Sequence, residues 1–252
     1  MSLHPLTIIR VIILGLFILV TTLMGVVYCL FNLKSNNRVW WISRVYGWAH
    51  NLIGVDVQLS PEDEEKLNCP KGKNRIYVAN HQNNLDMFTI CIALPQEAVS
   101  VGKKTLLWVP FFGLLYWITG NILIDRKNGS KAMDTIGQTV DKMKSRKLSV
   151  WIFPEGTRSR GKLKPFKSGA FRMAQMGGFE IVPICMSSTD HFSLSNWKNG
   201  VAKIKILDPI TVSDDESPRD VADKTFQKMQ ATIASLDKEL GNPDLYQLDT
   251  AE

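Results

Sequence analysis

Cysteine is scarce, and its placement suits neither of its structural uses. The four cysteines, Cys29, Cys69, Cys91 and Cys185, lie far apart and none belongs to a CxxC pair. That argues against a zinc site or a disulfide frame and for reduced thiols in a chain facing the cytosol. HExxH is missing as well, so no metal is expected at a catalytic centre. There is no GxSxG, the usual seat of a serine nucleophile. Zinc-finger spacing and RNP-like runs of aromatics are also lacking, which sets nucleic acid aside as a partner. No internal repeat or low-complexity tract interrupts the chain.

What is present describes a folded, basic, partly membrane-bound protein. The 252 residues are 45% apolar and 21% charged, which suits one sizeable domain with a short appended segment. A net charge of +6 favours anionic partners such as acidic lipid headgroups and phosphorylated substrates. Residues 11–33 carry no charge, with Arg10 before the run and Lys34 after it. Such a run is long enough to cross a hydrocarbon core of ~30 Å, and too long for the ~7–15-residue apolar stretch of a signal peptide. Downstream, Trp41, Val45, Trp48 and Leu52 recur at helical spacing, widened by Ile42, Ala49 and Ile53. Tryptophans beside arginines suit an interfacial helix, although a core helix of the soluble domain has the same pattern. Lys34, Arg38 and Arg44 outnumber Arg10, so the body of the protein is expected on the cytoplasmic face of the membrane. Residues 1–58 are therefore read as membrane-anchoring helices and 59–252 as the main domain.

Within that domain the polar, acidic stretch 60–74 reads as a solvated connector. Strand-like runs follow at 76–79, 98–101, 122–124, 148–153, 181–186 and 201–207. Between them, Met133, Ile136, Val140 and Met143 form one helical stripe, with Ser130 as its expected N-cap. Phe226, Met229, Ile233, Leu236 and Leu240 form another, opened by Ser217 and Pro218 and closed by Gly241. Strands alternating with helices give an α/β fold with a mostly parallel central sheet flanked by helices. Such sheets carry their chemistry beyond the C-terminal ends of the strands.

Four strand ends run directly into polar residues. The first delivers Asn80, His81, Gln82 and, five residues after the histidine, Asp86. A histidine there can act as a general base, and a carboxylate on its far ring nitrogen would fix the tautomer. Five residues along a regular helix rotate by ~500°, so pairing requires His81 in a turn and Asp86 near the start of the next helix. A loop histidine beside an unrelated helix cap is the plain alternative. The second strand end presents Gly120 and Arg126; the arginine can hold a phosphate bidentately or simply pair with Asp125. The third runs Phe153, Pro154, Glu155, Gly156, Thr157, Arg158, Ser159, with Lys162, Lys164 and Lys167 after it. A tight turn rich in cations and hydroxyls is an oxyanion cradle or an ordinary basic loop. The fourth, Val182, Pro183, Ile184, holds a proline that forbids one ladder bond, so that strand is expected to bend or lie at an edge.

In order and spacing these four segments resemble the glycerolipid acyltransferase family, most closely its bacterial 1-acylglycerol-3-phosphate branch. NHxxxxD is met by Asn80, His81 and Asp86; the Gly…Arg block by Gly120 and Arg126; FPEGTRS by residues 153–159; and the VPI-type strand by Val182, Pro183 and Ile184. The second proline common after that isoleucine is here Met186. The resemblance implies acyl transfer from acyl-CoA or acyl carrier protein onto the sn-2 hydroxyl of lysophosphatidic acid, giving phosphatidic acid at an anionic membrane surface. It implies no cofactor beyond the donor itself. His81, oriented by Asp86, would be the base. Arg126, Glu155, Gly156, Thr157 and Arg158 would bind the acceptor, with Lys103 or Lys104 adding charge. Glu155, itself an anion, would hold an arginine or meet the glycerol rather than touch phosphate. Three other readings stay open: a related acceptor such as glycerol 3-phosphate or another lysolipid, a thiol or serine hydrolase, and an inactive membrane adaptor.

Overall fold

The computed structural model describes residues 4–124, 132–159 and 162–242. Ser130 and Arg126 lie outside these residues, so neither the expected cap nor the expected phosphate ligand at these positions can be placed.

The chain opens with α1 (Pro5–Phe31) and α2 (Arg38–Trp48). Pro5 at the first helical position and the His4 side chain on the Leu6 N–H start α1, and the Asn32 side chain returns to the Tyr28 carbonyl at its end. Strand β1 (Val55–Leu59) and helix α3 (Pro61–Lys66) follow. The remaining elements are β2 (Arg75–Ala79), β3 (Ala98–Lys103), α4 (Phe112–Ile118), β4 (Ile122–Ile124), α5 (Ala132–Arg146), β5 (Ser149–Ile152), α6 (Gly169–Gly177), β6 (Glu180–Met186), β7 (Gly200–Ile206) and α7 (Pro218–Glu239).

Seven strands form one sheet in the order β1-β7-β6-β2-β5-β3-β4. Every neighbouring pair is parallel except β6 with β7. Five strands, β2 to β6, therefore point one way and end on a common edge. All five residues of β2 are buried, as expected of an interior strand covered on both faces. Each expected strand is present.

Three expectations need correction. The stretch 60–74 is no simple connector: Ser60 caps α3 by accepting the Asp63 N–H, and the buried Asp63 carboxylate accepts the Ile206 N–H at the end of β7. Strand β1, an alternating Val55, Val57, Leu59 run, is a sheet edge that spans the boundary expected at residue 58, so the anchoring segment and the domain share an element. Pro183 is not at a sheet edge, because β6 lies between β7 and β2. On the β7 side, ladder pairing is confined to residues 184–186, and Ile181 bridges to Ile210 beyond it. Pro183 occupies the gap, where its missing N–H breaks no bond, and its carbonyl accepts from Leu207.

Helix α1 lies along the domain. Near its start, the buried Arg10 guanidinium donates to the carbonyls of Leu194, Asn196 and Trp197. Phe17 contacts the rings of Tyr46 and Trp48, and Thr22 hydrogen-bonds Tyr46. Farther on, Gly25 leaves room for Ile42 and Leu115; a Cβ there would come within 2.9 Å of both. From Arg10 to Gly25 these contacts extend ~22 Å along the axis. The opposite face, including Ile9, Ile12, Leu16, Leu23 and Val27, is exposed and apolar. On α2 the expected stripe divides: Trp41, Val45 and Trp48 are exposed, whereas Ala49 and Ile53, in the turn that follows, are buried. Arg38, expected as a flanking charge, is also buried and donates to the Ile118 carbonyl.

Candidate active site

His81 sits two residues past β2, in a loop, and Asp86 is the third residue of a 3-10 turn at Asn84–Met87. This is the arrangement their spacing demands. The His81 Nδ1 and Asp86 Oδ2 atoms are 2.5 Å apart. A carboxylate can only accept, so Nδ1 carries the proton and Nε2 presents its lone pair. The same Oδ2 accepts the N–H groups of Gln82 at 2.7 Å and Asn83 at 3.2 Å. Asn83 caps the turn by accepting from Leu85. Asp86 is buried while the His81 side chain stays 22% exposed, so the pair has a fixed inner end and an open outer end. The imidazole stacks on Phe153, with ring centres 4.2 Å apart.

The third motif grips the main chain of the first. The Glu155 Oε1 atom accepts the His81 N–H at 2.7 Å, and the His81 carbonyl accepts the Ser159 N–H at 2.7 Å. Both backbone polar groups of the histidine thus belong to the turn after β5. The other Glu155 oxygen accepts the Lys164 N–H at 3.0 Å. Glu155 is buried, and burial pushes its carboxyl up to about 7 despite those two donors. Among the described residues it pairs with no arginine. Its two oxygens brace the His81 and Lys164 amides.

Around that brace the exposed groups are cationic. Thr157 and Arg158 face solvent beyond Gly156, whose φ of 74° makes the tight turn a glycine position. The Lys164 ammonium donates to the Arg158 carbonyl at 2.8 Å and lies 3.4 Å from Thr157 Oγ1, which adds a cation that the motif does not name. Lys103 ends β3 and Lys104 starts the next turn, both exposed on the same sheet edge.

The fourth motif buttresses the other side. Asn80 and Met186 exchange two hydrogen bonds at 2.9 Å. The Gln82 amide donates to the Met186 and Ser187 carbonyls and accepts from the Thr189 N–H. Asn83 donates to Thr189 Oγ1. Gln82, Asn83 and Thr189 were not singled out from sequence; only contacts spanning some hundred residues reveal them.

Behind Phe153 lies an apolar cavity of about 240 Å³, bordered by Val101, Ile136, Ile152, Ala170 and Met173, with Gly156 and Lys167 also on its wall. The site therefore brings together a histidine–carboxylate pair, exposed cations and an apolar cavity.

Comparison with known proteins identifies the family. The family model described as Acyltransferase matches residues 60–187. The 1-acyl-sn-glycerol-3-phosphate acyltransferase of Escherichia coli is 42% identical over 236 residues, covering 92% of this chain and 94% of that protein. The Haemophilus influenzae protein of the same name is 41% identical over 222 residues, covering 86% and 90%. The crystal structure of the 1-acyl-sn-glycerophosphate (LPA) acyltransferase PlsC from Thermotoga maritima shares the fold, with a TM-score of 0.71 at 21% identity over 92% of this chain and 95% of that one. With the family model spanning half the chain and these relatives nearly all of it, the protein belongs to the acyltransferase family.

Proposed function

We propose that the protein is a 1-acyl-sn-glycerol-3-phosphate acyltransferase that moves a fatty acyl chain from acyl-CoA or acyl carrier protein onto lysophosphatidic acid. The observation that carries this reading is the double role of Phe153: one ring both stacks on the imidazole and lines the apolar cavity. A chain held in that cavity brings its thioester to the base. The acceptor's phosphate is held by Arg158, Thr157, the Gly156 turn and Arg126, with Lys103, Lys104 and Lys164 adding positive charge.

The transfer is direct. His81 Nε2 takes the proton of the sn-2 hydroxyl as its oxygen attacks the thioester carbonyl. The C–O bond forms, the C–S bond breaks, and the imidazolium returns the proton to the departing thiolate. Asp86 stabilises the imidazolium through Nδ1. The reaction as written calls for no metal or cofactor beyond the donor. Helix α1, docked on the domain near both of its ends, lies in one leaflet with its apolar face in lipid, and the domain faces the cytoplasm, where thioester donors are made.

Full-length protein reconstituted in vesicles, labelled acyl donor of either kind and a panel of acceptors test the assignment. Lysophosphatidic acid is expected to give labelled phosphatidic acid well above any other acceptor. A preference for glycerol 3-phosphate, or release of free fatty acid without acceptor, would overturn it.

A further inference from the structure

Beside the anchoring helices, a second part of the surface is apolar without a protein partner. Residues 105–124 contain no charged side chain. Within them, Trp108 is 85% exposed, Trp117 62%, Phe111 59% and Leu114 53%, with Leu107 and Val109 beside them. Scattered apolar residues on a surface need no explanation, but six within eleven residues do.

The segment is also built rather than loose. A Cβ on Gly113 would collide with the Leu107 carbonyl, so the turn at Lys104–Trp108 and helix α4 are closely fitted. Leu115 and Gly113 are buried on the inner side of α4, and Leu115 packs at Gly25 of α1. Phe111 adopts φ 61° and ψ −53°, a positive-φ conformation that is costly for a bulky side chain. In water that strain would serve only to display an aromatic ring.

We propose that the 107–117 segment is a third membrane-inserting element, and that its occupant is the lipid bilayer. Two observations favour lipid over a protein. Helix α4 packs against α1 through Leu115 at Gly25, and the exposed face of α1 is likewise apolar along its length, so the two apolar surfaces lie on neighbouring helices. Lys103 and Lys104 directly precede the segment, exposed, which suits an anionic headgroup layer beneath inserted Trp and Phe rings. Insertion would hold the end of β3 at headgroup level. A lysolipid could then slide from the leaflet to the cationic turn without leaving the membrane. The inference rests on the membrane-associated reading of α1 above, and its physical test does not depend on which acceptor is used.

In full-length protein carrying Cys69→Ser and Cys91→Ser, single cysteines replace Trp108, Phe111 or, as a control, the exposed Lys228 of α7. Each is labelled with an environment-sensitive fluorophore and reconstituted in phosphatidylethanolamine–phosphatidylglycerol vesicles. Probes at 108 and 111 are expected to shift blue and to lose roughly half or more of their emission to a doxyl-labelled lipid, with the probe at 228 unaffected. Probes at 108 and 111 that resemble the control would overturn the proposal. Probes shielded from water yet unquenched by lipid would overturn it too, in favour of a protein partner or a second copy of the chain. A functional arm uses Trp108→Ser with Phe111→Ser. Turnover of bilayer-embedded acceptor should fall about ten-fold, while a short-chain acceptor dispersed in detergent is used within about two-fold of the parent rate. Equal losses on both acceptors would mean the segment supports the fold and not the membrane contact. If lysophosphatidic acid proves to be no substrate at all, the functional assignment falls while the quenching result still decides this one.

Discussion

The Glu155 carboxylate accepts the main-chain N–H of His81 at 2.7 Å, so the acidic residue of the FPEGTRS turn braces the backbone of the NHxxxxD segment. Replacing Glu155 with alanine or glutamine should therefore lower kcat by about ten-fold or more, the cost of losing a charge-assisted bond, with little change in the acceptor KM. Initial-rate kinetics with varied acceptor check this. A raised KM at constant kcat would return Glu155 to the phosphate cradle.

The same carboxyl has a signature in stability. Burial raises it from 4.5 to about 7, so the folded protein holds this proton more tightly than the unfolded chain does. The stabilisation from that proton is complete below about pH 4.5 and is lost as pH rises through 7. Between pH 5 and 8 the wild-type unfolding free energy should fall, by on the order of 3 kcal/mol at most, and the melting temperature should fall with it. Glu155→Gln should show a flatter profile in the same detergent; an identical slope would mean that another group titrates.

His81→Ala is expected to lower kcat by ~10²–10⁴ with the fold retained, and Asp86→Asn to do nearly as much by freeing the imidazole tautomer. No acyl-enzyme should accumulate with donor alone. Burial pushes the Cys185 thiol far up and the Cys91 thiol up to about 12, and Ser159 is buried, so none of the three is an activated nucleophile. A stoichiometric adduct discharged by acceptor at the turnover rate would reverse this mechanism.

Arg158→Ala should raise the acceptor KM about ten-fold, because the proposed function assigns the acceptor's phosphate to this exposed guanidinium. Lys164→Ala should act in the same direction and also loosen the 157–158 backbone, which its ammonium supports. A raised donor KM with the acceptor KM unchanged would move both cations to the donor's phosphates.

Gly169 lines the apolar cavity, and a Cβ there would meet nothing within 4 Å. Gly169→Leu should consequently be admitted at its Cβ, narrow the cavity and shift preference toward shorter acyl chains. Competition between labelled donors of different length is the check. An unchanged profile would place the acyl chain elsewhere.

Much of this was legible in the residues because it depends on local rules. An uncharged run such as 11–33 has few folded solutions other than a long apolar helix, and apolar strands alternating with helical stripes dictate a mostly parallel sheet. The five-residue spacing from His81 to Asp86 already required a turn and a helix start, and both are present. The short edge strand β1 and the capped turn α3 were passed over because each is half solvated and looks like a loop in composition. Only the tertiary structure decided what Glu155, Gln82, Pro183 and Arg10 do. Their partners are the His81 amide, the Thr189 amide, a gap in the β7 ladder and the 194–197 carbonyls. Each of those relationships joins segments roughly 74 to 187 residues apart or depends on strand order. A carboxylate in a motif can meet a cation or an amide equally well, and only packing determines which polar group is buried against it.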